Sequence, residues 1–208
     1  PNESQHHLIM KPLIDHDNSA HFIAGGGVWP QPYLYQSNQK QRSFFWGRNQ
    51  NGELEYFDDY NDPKGAGYHN EEWYVPSHFL SPGQYYWSKS YMDPYSHESM
   101  VTVTTPMYKG DQYYGATTID LSLDGMSELL ATESAKFGGY AYALDRNGTF
   151  ISYPDESVSK KIIQGQDGEA DIQFTNIKEA AENNPNMPDV TVGLLEKENV
   201  SRLNKDMN

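Results

Sequence analysis

Two stretches rich in β-branched residues, joined by a link too short for anything but a hairpin, set the frame for this chain. Met100 to Tyr108 reads MVTVTTPMY and Tyr113 to Leu121 reads YYGATTIDL, with Lys109-Gly110-Asp111 near the turn. Such residues favour the pleated surface of a sheet, and so tight a connection makes the pair antiparallel. Tyr85 to Tyr91 alternates ahead of this pair, and His21 to Trp29 reads as a strand ending in the glycine run Gly25-Gly26-Gly27. Ser43 to Gly47 is a short aromatic strand, and Asn51-Gly52 marks a hairpin turn before Leu54 and Tyr56. Gln5 to Ile14 is weakly helical, with Pro12 interrupting it, and Glu71 to Phe79 predicts a short helix. Leu123 to Lys136 gives the strongest helical pattern, stopped by Gly138-Gly139, and Tyr140 to Leu144 with Thr149 to Tyr153 predict a last hairpin. Antiparallel strands with helices interposed define an α+β class rather than a doubly wound parallel sheet.

Composition narrows what such a sheet can serve. The 208 residues fit one large domain or a domain and a half, with a boundary expected near Pro154, where the chain turns more polar. Fifteen basic against 29 acidic side chains give a net charge of −14, which argues against nucleic acid and against anionic lipid surfaces. Without cysteine there is no disulfide scaffold, thiolate zinc site or Cys nucleophile. No apolar run approaches the ~20 residues of a spanning helix. The opening at Pro1-Asn2-Glu3 and the polar close from Ser201 to Asn208 read as a piece of something longer. Phosphate loops, dinucleotide glycines, nucleophile elbows and HExxH are missing from the sequence. His6-His7 reads as a solvated pair, and Asp58 to Asp62 starts like a calcium loop but has Pro63 where glycine is required. Asn147-Gly148-Thr149 reads as an Asn-Gly turn rather than a glycosylation site. No cofactor, metal site or catalytic set is expected. Asp93 and Asp120 would be the acid–base pair of a hydrolase reading, but no nucleophile accompanies them.

One constellation is more specific. Trp73-Tyr74, Trp87 to Asp93 (WSKSYMD), the two β-rich stretches with Asp120, Gly139-Tyr140 and Asp145 to Pro154 follow one another in an order that resembles the membrane-distal module of double-Cache sensor domains. These are PAS-like extracytoplasmic ligand-binding domains of bacterial chemoreceptors, histidine kinases and diguanylate cyclases. The resemblance covers roughly residues 20 to 154. It implies a five- or six-stranded antiparallel sheet flanked by helices, with a ligand between sheet and flap. It divides the chain into residues 1–20, the end of an N-terminal helical segment; 21–156, the membrane-distal module; and 157–208, a linker and the incomplete start of a second module. It also implies a periplasmic location, tethered by transmembrane helices absent from this chain. The full receptor would be a homodimer, and this chain, lacking the long N-terminal helix, a monomer or weak dimer.

The family's amino-acid motif maps its Trp and Tyr onto Trp73 and Tyr74, its sheet Tyr onto Tyr91 and its amine-holding Asp onto Asp120. Its carboxylate-clamping Arg falls on Glu71. That reversal of charge disfavours a standard α-amino acid in the family pose. With Asp93 and Glu72 nearby, acidic ends and aromatic walls suit a cationic amine or diamine. The expected ligand residues are therefore Glu71, Trp73, Tyr74, Tyr91, Asp93 and Asp120. Other readings fit the same residues. Trp73, Tyr74 and Tyr91 also fit a core, and Glu71 also fits a solvent-facing helix position. Asp120 lies in Ile119-Asp120-Leu121, where a buried carboxylate needs either a protein cation or a ligand cation. The resulting expectation is a non-catalytic sensor that binds a small molecule and relays occupancy to a cytoplasmic output domain. The alternative is a structural or protein-interaction module with no small-molecule ligand.

Overall fold

The computed structural model describes residues 3–16, 21–49, 51–94, 98–164, 170–184 and 187. The two β-rich stretches form β6 (Ser99–Lys109) and β7 (Gln112–Ser122), paired antiparallel from Met100↔Ser122 to Lys109↔Gln112. Gly110 takes φ +59° in the turn, a conformation that glycine adopts without strain. β7 is also paired with β1 (Ile23–Pro30), which continues through β2 (Phe44–Arg48) to β3 (Leu54–Phe57). The outer edge of β6 carries two short strands, β4 (Tyr86–Trp87) and β5 (Tyr91–Met92). The result is a seven-stranded antiparallel sheet in the order β3-β2-β1-β7-β6-β4, with β5 also on β6. Tyr85 to Tyr91, expected as one strand, is two fragments. Between them Ser88 Oγ accepts from the Thr102 N–H at 2.9 Å, so a side chain takes a place in the ladder.

The glycine run does not end its strand. Gly25, Gly26 and Gly27 lie within β1, and their missing side chains let other groups approach. A Cβ on Gly26 would meet the Thr118 carbonyl at 2.6 Å and Ile14 Cδ1 at 3.3 Å, on the face where helix α1 (Glu3–Ile14) packs. A Cβ on Gly25 would meet the Trp46 carbonyl at 2.6 Å and the Asp120 carboxylate at 3.2 Å. Gly25→Ala is therefore expected to lower stability by about 1–3 kcal/mol, since backbone on β2 must move. Urea unfolding measures this, and a neutral result would mean that β2 yields freely.

Pro12 does not interrupt α1, which runs to Ile14. A helix-interior proline costs about 3 kcal/mol, but Met10 and Ile14 are buried against Val28, Phe44 and Trp46, each worth about 1.5–3 kcal/mol. The helix outer face leaves Leu8, Ile9 and Leu13 exposed. His6 and His7 are not a solvated pair. The His6 ring stacks on Phe44 at 4.1 Å, and His7 meets Trp46 edge-on at 4.8 Å.

The opposite face of the sheet buries Trp29, Phe45, Tyr68, Trp73, Tyr74 and Ala116 as one aromatic cluster. Over it runs the segment expected as a helix from Glu71, which instead makes turns up to Tyr74 and then a 3-10 helix, Val75–Phe79. Pro76 at its start and Ser77, whose hydroxyl bonds back to the Tyr74 carbonyl at 2.6 Å, favour the tighter winding.

The chain divides into two compact units, Pro1–Leu129 and Leu130–Asn208, so the division precedes the Pro154 region where composition changes. The helix expected after β7 is present as α2 (Leu123–Ala135), and the second unit contains β8 (Ala143–Leu144) and β9 (Phe150–Ser152), then α3 (Glu156–Ser159), the hairpin of β10 (Lys160–Gln164) and β11 (Ala170–Phe174), and α4 (Ile177–Asn183). Phe150, Ile177, Ala180 and Met187 form its core. Gly148, with φ +77°, and Asp145, whose carboxylate takes the Asn147 and Thr149 N–H groups, make the expected Asn-Gly turn. The polar close from Ser201 to Asn208 falls outside the described residues. No described helix is long and apolar enough to cross a membrane.

Candidate ligand cavity

A cavity of about 370 Å³ opens in the first unit, between the sheet and the segment that carries Glu71 to Trp73. Strand alternation builds one wall: Thr118 and Asp120 stand two residues apart on β7, on the same face as Ala116. Trp29 of β1 and Phe45 of β2 continue that wall, with Tyr60 and Trp73 laid against them. The Trp29 and Trp73 ring centres are 4.5 Å apart, and Tyr60 meets Trp29 edge-on at 5.2 Å. The Trp29 indole N–H donates to Thr118 Oγ1 at 2.8 Å, which fixes the ring in place. The other wall is polar, with Glu71, Glu72, Lys89, Tyr91, Met92, Asp93 and Pro94.

Asp120 is the chemical centre of this arrangement. It is only 6% exposed and sits on the central strand, opposite Thr102 on one side and Gly25 on the other. Thr102 Oγ1 donates to Asp120 Oδ1 at 2.7 Å. With its proton so used, Thr102 accepts from the Tyr91 hydroxyl, also at 2.7 Å, giving a relay Tyr91→Thr102→Asp120. Among the described residues no cation pairs with Asp120, and its second oxygen has no protein hydrogen bond. Burial pushes its carboxyl up to about 7. The Thr102 hydrogen bond opposes the shift, and the neighbouring Asp93 carboxylate adds to it. Burial likewise raises Glu71, which is half-buried at the cavity. Glu72 accepts from the Tyr86 hydroxyl.

Of the six residues singled out in the sequence, Glu71, Trp73, Tyr91, Asp93 and Asp120 line this cavity together. Tyr74 does not. It is fully buried in the adjoining cluster, edge-on to Tyr68 at 5.3 Å and to His78 at 5.3 Å, with its hydroxyl toward Gln31. Consecutive residues in a turn point apart, so Trp73 and Tyr74 could not both face one cavity. The sequence reading missed Trp29, Phe45, Tyr60, Lys89, Met92, Pro94 and Thr118. The two-residue spacing of Thr118 from Asp120 was the available signal on β7; the aromatics come from distant strands that only the fold brings together.

The family model for the first PDC sensor domain of methyl-accepting chemotaxis protein-like receptors matches residues 9–128. Over 93 residues the chain is 33% identical to methyl-accepting chemotaxis protein PctB of Pseudomonas aeruginosa, covering 44% of this chain and 14% of that protein. Among solved structures, methyl-accepting chemotaxis protein X aligns with a TM-score of 0.56 at 17% identity, over 74% of this chain and 58% of that one. The ligand-binding domain of Pseudomonas fluorescens chemoreceptor CtaA, in complex with L-valine, aligns with a TM-score of 0.52 at 17% identity, over 88% and 65%. The chain thus spans a small part of its curated relative and less than two thirds of either structure. The structural likenesses carry the fold: an antiparallel sheet flanked by helices. The match over residues 9–128 takes in more than half of the chain, which belongs to the methyl-accepting chemotaxis protein-like first PDC sensor domains.

Proposed function

We propose that the first unit is a ligand-binding sensor on the periplasmic side of a bacterial membrane, which binds a small ammonium-bearing molecule in the cavity and relays occupancy to a cytoplasmic output domain. The observation that carries this reading is Asp120, a buried carboxylate on the central strand with one hydroxyl donor and no cation among the described residues. A charge held this way is costly without a partner. A ligand ammonium supplies that partner, and Trp29, Tyr60 and Trp73 offer aromatic faces that attract cations by about 0.5–2 kcal/mol each when desolvated. PctB is a chemotaxis receptor and the CtaA domain holds L-valine, so small-molecule sensing has precedent among its relatives. The domain contributes binding and no chemistry of its own. Ligand favours one arrangement of the sheet and the Glu71–Phe79 segment, and the population shift is the signal.

Titration calorimetry of this chain with butylamine across pH tests the reading. Below pH 7 Asp120 holds a proton in the empty cavity, and that proton must leave before an ammonium can pair with it. Affinity is expected to weaken about tenfold per pH unit below 7, roughly 100-fold by pH 5, with proton release on binding. Affinity independent of pH over that range would remove Asp120 from the site.

A further inference from the structure

We propose that the first unit has a second small-molecule site, on the α1 face of the sheet, which takes a carboxylate with an aromatic body and holds its charge with Lys109. A cavity of about 420 Å³ opens there, within the range of about 300–1,000 Å³ usual for small-molecule sites. It shares no lining residue with the Asp120 cavity, so the inference goes beyond the reading above and does not depend on it. His6 of α1 lines it, as do Tyr35 and Met107, which pack on the Val28, Phe44 and Trp46 core. Asp120 looks out from the other face, among Trp29, Phe45 and Trp73.

Two departures from regular backbone build this cavity. Met107 pairs with Gly115 but Tyr108 with Tyr113, so Tyr114 is an extra residue in β7. Such a bulge re-aims a side chain, and the Tyr114 ring comes to lie 5.8 Å from Lys109 Nζ. The Gln31 N–H then donates to the Tyr114 carbonyl at 2.8 Å, which ties the end of β1 to the bulge. Two residues on, Tyr33 takes φ +63°, a left-handed conformation found at no other described residue except glycines. Side chains adopt it only where their surroundings impose it, and here it brings Leu34 and Tyr35 round to close the cavity.

The lining selects the ligand's chemistry. Leu34, Tyr35, Met107 and Tyr114 offer apolar and aromatic walls for a flat ring. No carboxylate is among them, although acidic side chains outnumber basic ones 29 to 15 in the chain. Lys109 is the one charged residue of the lining, and among the described residues it makes no ion pair. The Arg42 guanidinium lies 4.5 Å from the centre of the Phe44 ring on which His6 stacks. Burial lowers the His6 pKa and Arg42 lowers it further, so the imidazole stays neutral and can donate one N–H. An anion meets a partner here. An ammonium group meets none, so an α-amino acid would leave its amine unpaired.

Calorimetry with 3-phenylpropionate and its uncharged analogue 3-phenylpropanol tests the assignment on the wild-type chain, Lys109→Met and Leu34→Trp, with circular dichroism as the check on folding. Wild type is expected to bind the acid at least about tenfold more tightly than the alcohol, the scale of a hydrogen bond to a charged group. The chain's net charge of −14 repels anions at long range, so that preference needs a local cation. Lys109→Met should bring the acid down to the alcohol's affinity. Leu34→Trp, which fills the cavity, should abolish binding of both, and saturating butylamine should displace neither from wild type. Three results overturn the proposal: no binding of the acid to wild type, an acid preference that survives Lys109→Met, or displacement of the acid by butylamine. Unchanged affinity for both probes in a folded Leu34→Trp variant overturns it as well, by placing them elsewhere.

Discussion

Asp120→Asn is expected to raise the stability of the ligand-free protein at pH 8 by up to about 4 kcal/mol, and to change it little near pH 4. Burial places the folded carboxyl near 7, well above its unfolded value. Between those values the native state keeps a proton that the unfolded chain has lost. The group's contribution is therefore fully present in acid and disappears as pH rises through 7. Above that, the folded protein carries a buried charge with only Thr102 to solvate it. An asparagine has the same shape, accepts the same Thr102 hydrogen bond and never ionises, so it avoids the penalty. Urea unfolding at several pH values shows whether the wild-type curve falls between pH 4 and 7 while the variant's stays level. A variant less stable than wild type at pH 8 would show that a cation already neutralises Asp120. The same variant should lose stabilisation by amines, so the substitution separates stability from function: the empty protein gains and the sensor fails.

Such a residue was legible in advance because an acid inside Ile119-Asp120-Leu121 contradicts the apolar pattern around it. The central hairpin was equally legible, since β-branched strands and a glycine turn all point to one structure. Elsewhere local signals conflicted with tertiary packing, and packing decided. Gly25 to Gly27 resemble a strand end by propensity, but they serve the close approach of β2, α1 and Asp120. Pro12 resembles a helix stop, but Met10 and Ile14 anchor the turns around it. The β10–β11 hairpin was hidden for a different reason. Lys161 to Gln164 are exposed, so no burial rhythm marks them. Lys89 keeps the two-residue alternation of Tyr91 and Asp93, so the same rhythm that marked those two would have marked it. Trp73 and Tyr74 show the limit of motif transfer: as neighbours in a turn they point apart, one into the cavity and one into the core.

Trp29→Ala should be the most damaging single truncation of the aromatic wall, costing about 3–5 kcal/mol. Trp29 is 2% exposed and touches Phe45, Tyr60, Tyr68 and Trp73. Its ring lies back along β1 over Gly27, where a Cβ would come within 2.9 Å of it. Truncation removes the ring that four other aromatics pack on, and the void opens directly into the ligand cavity. Water then reaches the Asp120 side of the cavity and lowers the cost of its charge, so part of the rise in its carboxyl should disappear with the tryptophan. Trp29→Phe distinguishes packing from hydrogen bonding. It keeps much of the apolar volume but leaves Thr118 without its indole donor, and about 1–2 kcal/mol is expected from that loss together with the smaller ring. Urea unfolding of both variants ranks the two contributions. If Trp29→Phe costs as much as Trp29→Ala, the bond to Thr118 rather than the aromatic cluster holds the wall, and the cavity is shaped by a polar pin instead of by packing.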